Sequence, residues 1–162
     1  MIVVVMGVAG SGKTTVGTRL AEALPCDFLD ADSLHSAASV DRMQRGIPLT
    51  DDDRGRWLEA IHARMLDAVR EGRRLVVACS ALTRAHRRVL GDGVPITWVY
   101  LKGSEEVIRA RLERRAGHFA KADLLASQLD TLEEPADAIV ADISRPLDAI
   151  VHDILGALPA RR

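Results

Sequence analysis

Ile2-Val3-Val4-Val5-Met6-Gly7-Val8-Ala9-Gly10-Ser11-Gly12-Lys13-Thr14 decides how this chain is read. A β-branched run suited to a strand buried on both faces passes directly into the pattern Gly-x-x-x-x-Gly-Lys-Thr. Val16, Leu20 and Leu24 then fall on one helical stripe, which Pro25 stops. A glycine loop between strand and helix turns successive backbone N–H groups inward on an anion and aims the positive end of the helix at it. Gly7, Gly10 and Gly12 allow the curl, and Ser11, Lys13, Thr14 and Thr15 complete the cradle. The chain has nineteen arginines and only three lysines (Lys13, Lys102, Lys121), yet it places a lysine here. A compact ammonium on a flexible stem fits this pocket where a planar guanidinium does not. The pattern implies ATP held with Mg²⁺, with Lys13 reaching the β- and γ-phosphates and the Thr14 hydroxyl on the metal.

Outward from this stretch, strand-like and helix-like segments alternate. Short apolar strands are expected at Ile2–Met6, Phe28–Asp32, Leu75–Cys79, Ile96–Leu101 and Ile139–Ile143. Helices are expected over 12–24, 35–45, from Thr50 to about Gly72, over 81–90, 105–115 and about 122–129, and at the carboxyl end. Thr50 with Asp53 three positions on has the pattern of a capping box, and Trp57, Ile61, Met65 and Val69 form the apolar stripe of the helix it opens. Five such strands joined by helices imply an α/β three-layer fold, with a five-stranded parallel sheet covered on both faces. Ligands of such sheets bind beyond the carboxyl ends of the strands. The whole chain, 1–162, reads as one domain, with about 33–70 facing a substrate and about 111–128 forming a small lid.

Composition narrows the function. Lys+Arg of 22 against Asp+Glu of 23 gives a net charge of −1, against a nucleic-acid or membrane-surface partner. Five scattered aromatics make no base-stacking platform. Cys26 and Cys79 make neither a disulfide framework nor a zinc site, and a cytoplasmic, reducing compartment suits them. No apolar run is long enough to span a bilayer, and the apolar start has no basic flank of a signal peptide.

A phosphate loop says what binds, and other residues must say what is done with it. Neither Lys102 nor Lys121 lies in a guanine-reading Asn-Lys-x-Asp motif, and the third strand ends Cys79-Ser80 without the acid of a motor ATPase. Asp30 and Asp32, at the end of the second strand, are expected on one face by strand alternation. Two such acids can divide the work, one holding the magnesium shell and the other accepting a hydroxyl proton; which of them is nearer the metal stays open. Capping of the loop by both is the competing use. Arg111 and Arg115 are four apart on one helix face, and Gly117-His118-Phe119 follows as a break, the pattern of an arginine lid that excludes water and neutralises the γ-phosphate. Arg109 and Arg114 are expected on a solvated face paired with Glu105, Glu106 and Glu113. His62 and His152 are expected in surface or half-buried packing, Trp57 and Cys79 in the core.

Beyond the phosphate loop, nearly the whole chain resembles the gluconokinase family of P-loop kinases. Phe28-Leu29-Asp30-Ala31-Asp32-Ser33-Leu34-His35 resembles its F-x-D-G-D-x-L-H. Met43, Gly46-Ile47-Pro48-Leu49, Asp51-Asp52-Asp53-Arg54 and Trp57-Leu58 follow its next segment. Cys79-Ser80-Ala81-Leu82 with Arg87, Tyr100-Leu101-Lys102-Gly103, Arg115-Ala116-Gly117-His118-Phe119, and Leu125, Ser127-Gln128 and Leu132-Glu133-Glu134-Pro135 follow in order. The resemblance implies ATP-dependent phosphorylation of D-gluconate on its terminal hydroxyl, and a homodimer. It implies Asp32 as base or hydroxyl anchor, His35, Arg54, Arg87 and His118 around the sugar acid, Ser80 as a further hydrogen bond, and the loop around Arg145-Pro146 bordering the adenine. The chain departs from the family at Ser36, Ser39, Arg56, Thr83, His86 and Arg88, where Pro, Asn, Pro, Lys, Tyr and Asp are usual. Readings of other kinds are a shikimate-type or other small-molecule kinase, or a regulator that binds ATP without an acceptor.

Overall fold

The structure, a computed structural model, describes residues 1–116 and 119–160, with side chains at 115, 116 and 119–123 left aside. Five strands, β1 (Ile2–Met6), β2 (Asp27–Asp30), β3 (Leu75–Ala78), β4 (Ile96–Lys102) and β5 (Ile139–Asp142), pair in the order β2-β3-β1-β4-β5, all parallel. The helices are α1 (Lys13–Ala23), α2 (Ala37–Gln44), α3 (Asp51–Arg70), α4 (Arg84–Leu90), α5 (Glu105–Ala116), α6 (Phe119–Thr131) and α7 (Leu147–Ala157).

Alternation along β1 explains why the sheet needs two covers. Val3 and Val5 join Val16 and Leu20 of α1, Leu112 of α5 and Ile150 and Ile154 of α7 in one core. Ile2, Val4 and Met6 join Trp57, Ile61 and Met65 of α3 and Leu90 of α4 in the other. All five β1 residues are buried, and each large apolar side chain so placed contributes about 1.5–3 kcal/mol relative to exposure. β1 lies at the centre, with the chain running to β2 and β3 on one side and to β4 and β5 on the other. A crevice therefore opens at its carboxyl end, where the phosphate loop sits.

Several boundaries differ from the sequence expectation, each for a local reason. β2 ends at Asp30, and Ala31–Leu34 form one turn of 3₁₀ helix, because the Asp30 carboxylate accepts the N–H of Asp32 at 3.0 Å and starts the turn. Asp32 therefore stands on a turn, not on the strand face that alternation gave it. α2 begins two residues later than expected, since Ser36 caps it by accepting the N–H of Ser39 at 3.1 Å. α4 begins at Arg84 because Thr83 caps it through the N–H of His86, and Ala81 has a left-handed φ of 42° that no helix admits. The Thr50–Asp53 capping box is formed in both directions. Among the described residues no helix is long and apolar enough to cross a membrane.

Candidate active site

The loop Gly7–Gly12 reaches its shape through glycine at a left-handed cap and at a close approach. Gly12 sits at φ 95°, a left-handed N-cap that lets α1 begin at Lys13. Gly10 has φ 80°, and a Cβ there would lie 2.6 Å from Leu112 of α5. The loop is drawn together on one carbonyl: Val8 O accepts from the Ser11 N–H at 3.2 Å and from Lys13 Nζ at 3.1 Å. The Ser11 side chain is fully buried beneath it.

Thr14, the first-turn hydroxyl, donates to Asp30 Oδ2 at 2.9 Å and so joins the phosphate loop to the end of β2. Asp30 thus does two jobs, its other oxygen capping the turn that carries Asp32. Asp32 keeps 84% of its side chain in solvent, with Oδ1 3.9 Å from His35 Nε2. His35 is the reverse. Its side chain is only 8% exposed and lies on the Trp57 ring, with centroids 4.5 Å apart and planes 11° from parallel. Burial holds the imidazole below its ordinary pKa, against the pull of Asp32, and Nδ1 is buried without a hydrogen-bond partner. Trp57 is itself fixed, donating from Nε1 to Ala31 O at 2.7 Å. Trp57 is therefore core, as expected, and also the platform for His35.

Arg87 and Arg54 stand differently. Arg87 Nη1 donates to Ala81 O at 2.8 Å and to Leu82 O at 3.2 Å, and Nη2 donates to Glu133 O at 2.7 Å. Its guanidinium builds the wall beyond β3, holding the left-handed Ala81, a conformation that costs about 1–3 kcal/mol unless its surroundings fix it. Arg54, 41% exposed, meets Asp51 at 3.7 Å. Burial first, then the charges of Arg54 and Arg87, push the His86 imidazole down, so these three groups share one wall. Ser80 is half-buried between β3 and that wall. Cys79 is buried, with its thiol pushed up to about 12 by desolvation, and is no nucleophile.

A cleft of about 280 Å³ flanks the other side of the loop. Gly10, Ser11, Gly12 and Thr15 form its floor, Arg111 and Arg114 one rim, and Arg145 and Leu147 on either side of Pro146 the other. Arg111 Nη2 donates to Ile143 O at 2.5 Å, which ties α5 to the end of β5. Arg145 is paired with Asp153 of α7. Arg109 pairs with Glu105, on the solvated face expected for it. Arg114 is exposed, as expected for it, and also lines the cleft. The Arg115 side chain and His118 lie outside the described residues.

Sequence reasoning missed a set of contacts made by the end of α6. Gln128 Oε1 accepts the Ala9 N–H at 2.6 Å. Glu133 N–H donates to Leu82 O at 2.9 Å, and the Glu134 carboxylate takes the Tyr100 hydroxyl at 3.1 Å and Lys102 at 3.2 Å. The available signal was the Ser127-Gln128 and Leu132-Glu133-Glu134-Pro135 pattern.

A phosphate loop at the carboxyl end of the central strand of a parallel sheet, tied through Thr14 to an acid pair, defines a P-loop small-molecule kinase. Residues 2–137 match the family model described as an AAA domain. The chain is 41% identical to the thermoresistant gluconokinase of Escherichia coli over 155 residues, 93% of this chain and 89% of that protein. It is 49% identical to the gluconokinase of Gluconobacter oxydans over 135 residues, 83% and 76% of the two. A solved gluconokinase from Sinorhizobium meliloti superposes with a TM-score of 0.83 at 42% identity, covering 95% of this chain and 89% of that one. The chain belongs to the gluconokinase family.

Proposed function

We propose that this protein transfers the γ-phosphate of ATP to the terminal primary hydroxyl of D-gluconate, giving 6-phosphogluconate and ADP. The observation that carries this reading is the Thr14–Asp30 hydrogen bond of 2.9 Å, which places the phosphate loop one short turn from the exposed Asp32 carboxylate. Nucleotide phosphates and an acceptor hydroxyl meet across that turn.

The loop amides from Gly10 to Thr14 and the Lys13 ammonium bind the phosphates, and the adenine takes the cleft between Thr15 and the Arg145–Leu147 loop, with Pro146 at its edge. Asp32 orients the acceptor hydroxyl and receives its proton as the oxygen attacks. His35, kept neutral by burial, offers hydrogen bonds to the polyol, and its stacking on Trp57 fixes the ring. Arg54, held only loosely by Asp51, is the guanidinium able to take the substrate carboxylate in bidentate fashion; Arg87 supports the same wall through the backbone, and Ser80 adds a hydroxyl. Arg111 and, from the lid of about 111–128, Arg115 close over the phosphates and exclude water, while His118 joins the residues around the sugar acid. A hydroxyl and a carboxylate oxygen at Thr14 and Asp30 suit Mg²⁺, a hard cation held through few protein oxygens. When bound, the metal neutralises charge on the β- and γ-phosphates.

We extend the proposal to a homodimer, supported by the family and by the exposed apolar Val40, Met43 and Ile47 on and after α2. A reducing, cytoplasmic setting is supported by the two free cysteines. The test is coupled ADP release with Mg²⁺–ATP and a panel of aldonic acids, shikimate and nucleoside monophosphates. Turnover is expected with gluconate above the others. Turnover with shikimate instead, or ADP release indifferent to every acceptor, would overturn the reading.

A further inference from the structure

The Val8 carbonyl that receives Lys13 Nζ and the Ala9 N–H that meets Gln128 belong to one peptide group. A peptide group is planar and rigid. Whatever fixes its N–H also fixes the direction of its C=O. Ala9 N–H is an orphan of the loop, unable to join the β1 ladder or the α1 helix, and Gln128 Oε1 takes it at 2.6 Å from 119 residues away in the chain. Since the partner is an N–H, the accepting end of the carboxamide is its oxygen.

The acceptor of this contact stands on firm ground. Glu133, just past α6, holds the wall beyond β3 through the Glu133 N–H on Leu82 O and through Arg87 on Glu133 O. Glu134 fixes the same segment to β4 through Tyr100 and Lys102. Burial, and then the hydrogen bond to Glu134, push the Tyr100 hydroxyl up to about 12, so it stays a donor at any working pH.

We propose that Gln128 is a positioning residue for phosphoryl transfer: its carboxamide clamps the Val8–Ala9 peptide so that the Val8 carbonyl presets the Lys13 ammonium beside the phosphate cradle. The proposal rests on the kinase reading above and assigns the Ser-Gln of α6 a role in it. Gln128 acts through the peptide on Lys13, and its loss is felt only where Lys13 is there to be aimed.

The test is a double-mutant cycle read as ADP release with whichever acid supports turnover in the parent protein, so silence of gluconate tells against the acceptor assignment alone. Gln128→Met keeps length and helix propensity and removes the oxygen. It is expected to lower kcat about tenfold or more, with a smaller change in KM for ATP, because Lys13 serves the transition state more than the ground state. In a Lys13→Arg background the same substitution is expected to cost less than about twofold, the non-additivity of residues acting through one another. Gln128→Glu, which keeps an oxygen at the same reach, is expected to stay within about threefold of the parent kcat. Equal losses from Gln128→Met in both backgrounds would reduce Gln128 to a support of the fold, and an undiminished kcat or a Gln128→Glu loss as deep as that of Gln128→Met would also overturn the proposal.

Discussion

Asp32 makes few contacts that a substitution would disturb. Its carboxylate is largely in solvent and its nearest charged neighbour is a histidine nitrogen at 3.9 Å, while the turn that carries it is started by Asp30, not by its own side chain. Asp32→Asn therefore preserves shape and hydrogen-bonding reach and removes only the ability to take a proton. General-base catalysis is worth about 10²–10⁴-fold. Asp32→Asn is expected to lower kcat by at least about a hundredfold while ATP affinity, measured by calorimetry, changes little. A rise confined to KM for ATP would instead move Asp32 to the metal side and leave the base elsewhere. The same scale explains three departures from the family pattern. Ser36 and Ser39 hydrogen-bond each other at 3.0 Å while Ser36 caps α2, so the pair replaces Pro and Asn as a local cap. Thr83, in place of Lys, caps α4.

Among elements, α3 shows what sequence can specify. Thr50 and Asp53 cap it reciprocally, three aspartates sit at its positive end, and hydrogen bonds from Thr50, helped by the charges of Arg42 and Arg56, hold the Asp53 carboxyl below its ordinary range. Thr50→Ala removes an N-cap side chain, a loss of about 1 kcal/mol. At this chain length that corresponds to a fall in Tm of about 2–4 °C, to be read by differential scanning calorimetry; an unchanged Tm would mean that the box contributes nothing. Capping, strand runs and the glycine loop were legible because each is written in neighbouring residues. The parallel sheet with helices on both faces followed from the alternation of strands with helices, while the strand order β2-β3-β1-β4-β5 did not. What stayed hidden depends on residues far apart in the chain. Arg114 looks like any solvated arginine until α5 is laid beside Gly10, and Gln128 gains meaning only when α6 reaches the Val8–Ala9 peptide. The end of β2 was misplaced because Asp30 ends the strand with its own carboxylate, a competition between side chain and ladder that periodicity does not register.

At the scale of the whole molecule, the sheet separates the cleft where Arg111, Arg114 and Arg145 gather from a face where two half-buried histidines lie. His35 lies on Trp57 and His86 on the wall with Arg54 and Arg87, and desolvation lowers both imidazoles from 6.5. The unfolded chain then binds more protons than the folded one below pH 6.5. Stability contributed by these sites is fully present above that value and is lost as pH falls through it toward the depressed folded values. The carboxyls of Asp53, Glu134 and Asp142 are also lowered, but from ordinary values near 4, so they act in a more acidic window. Urea unfolding of the parent protein is therefore expected to show a midpoint that drops between about pH 7.5 and pH 5.5. The double variant His35→Gln/His86→Gln is expected to show a much shallower drop over the same range, whatever its absolute stability. Parallel pH profiles for the two proteins would show that neither imidazole is held neutral, and would remove the neutral hydrogen-bonding ring assigned to His35 in the acceptor pocket.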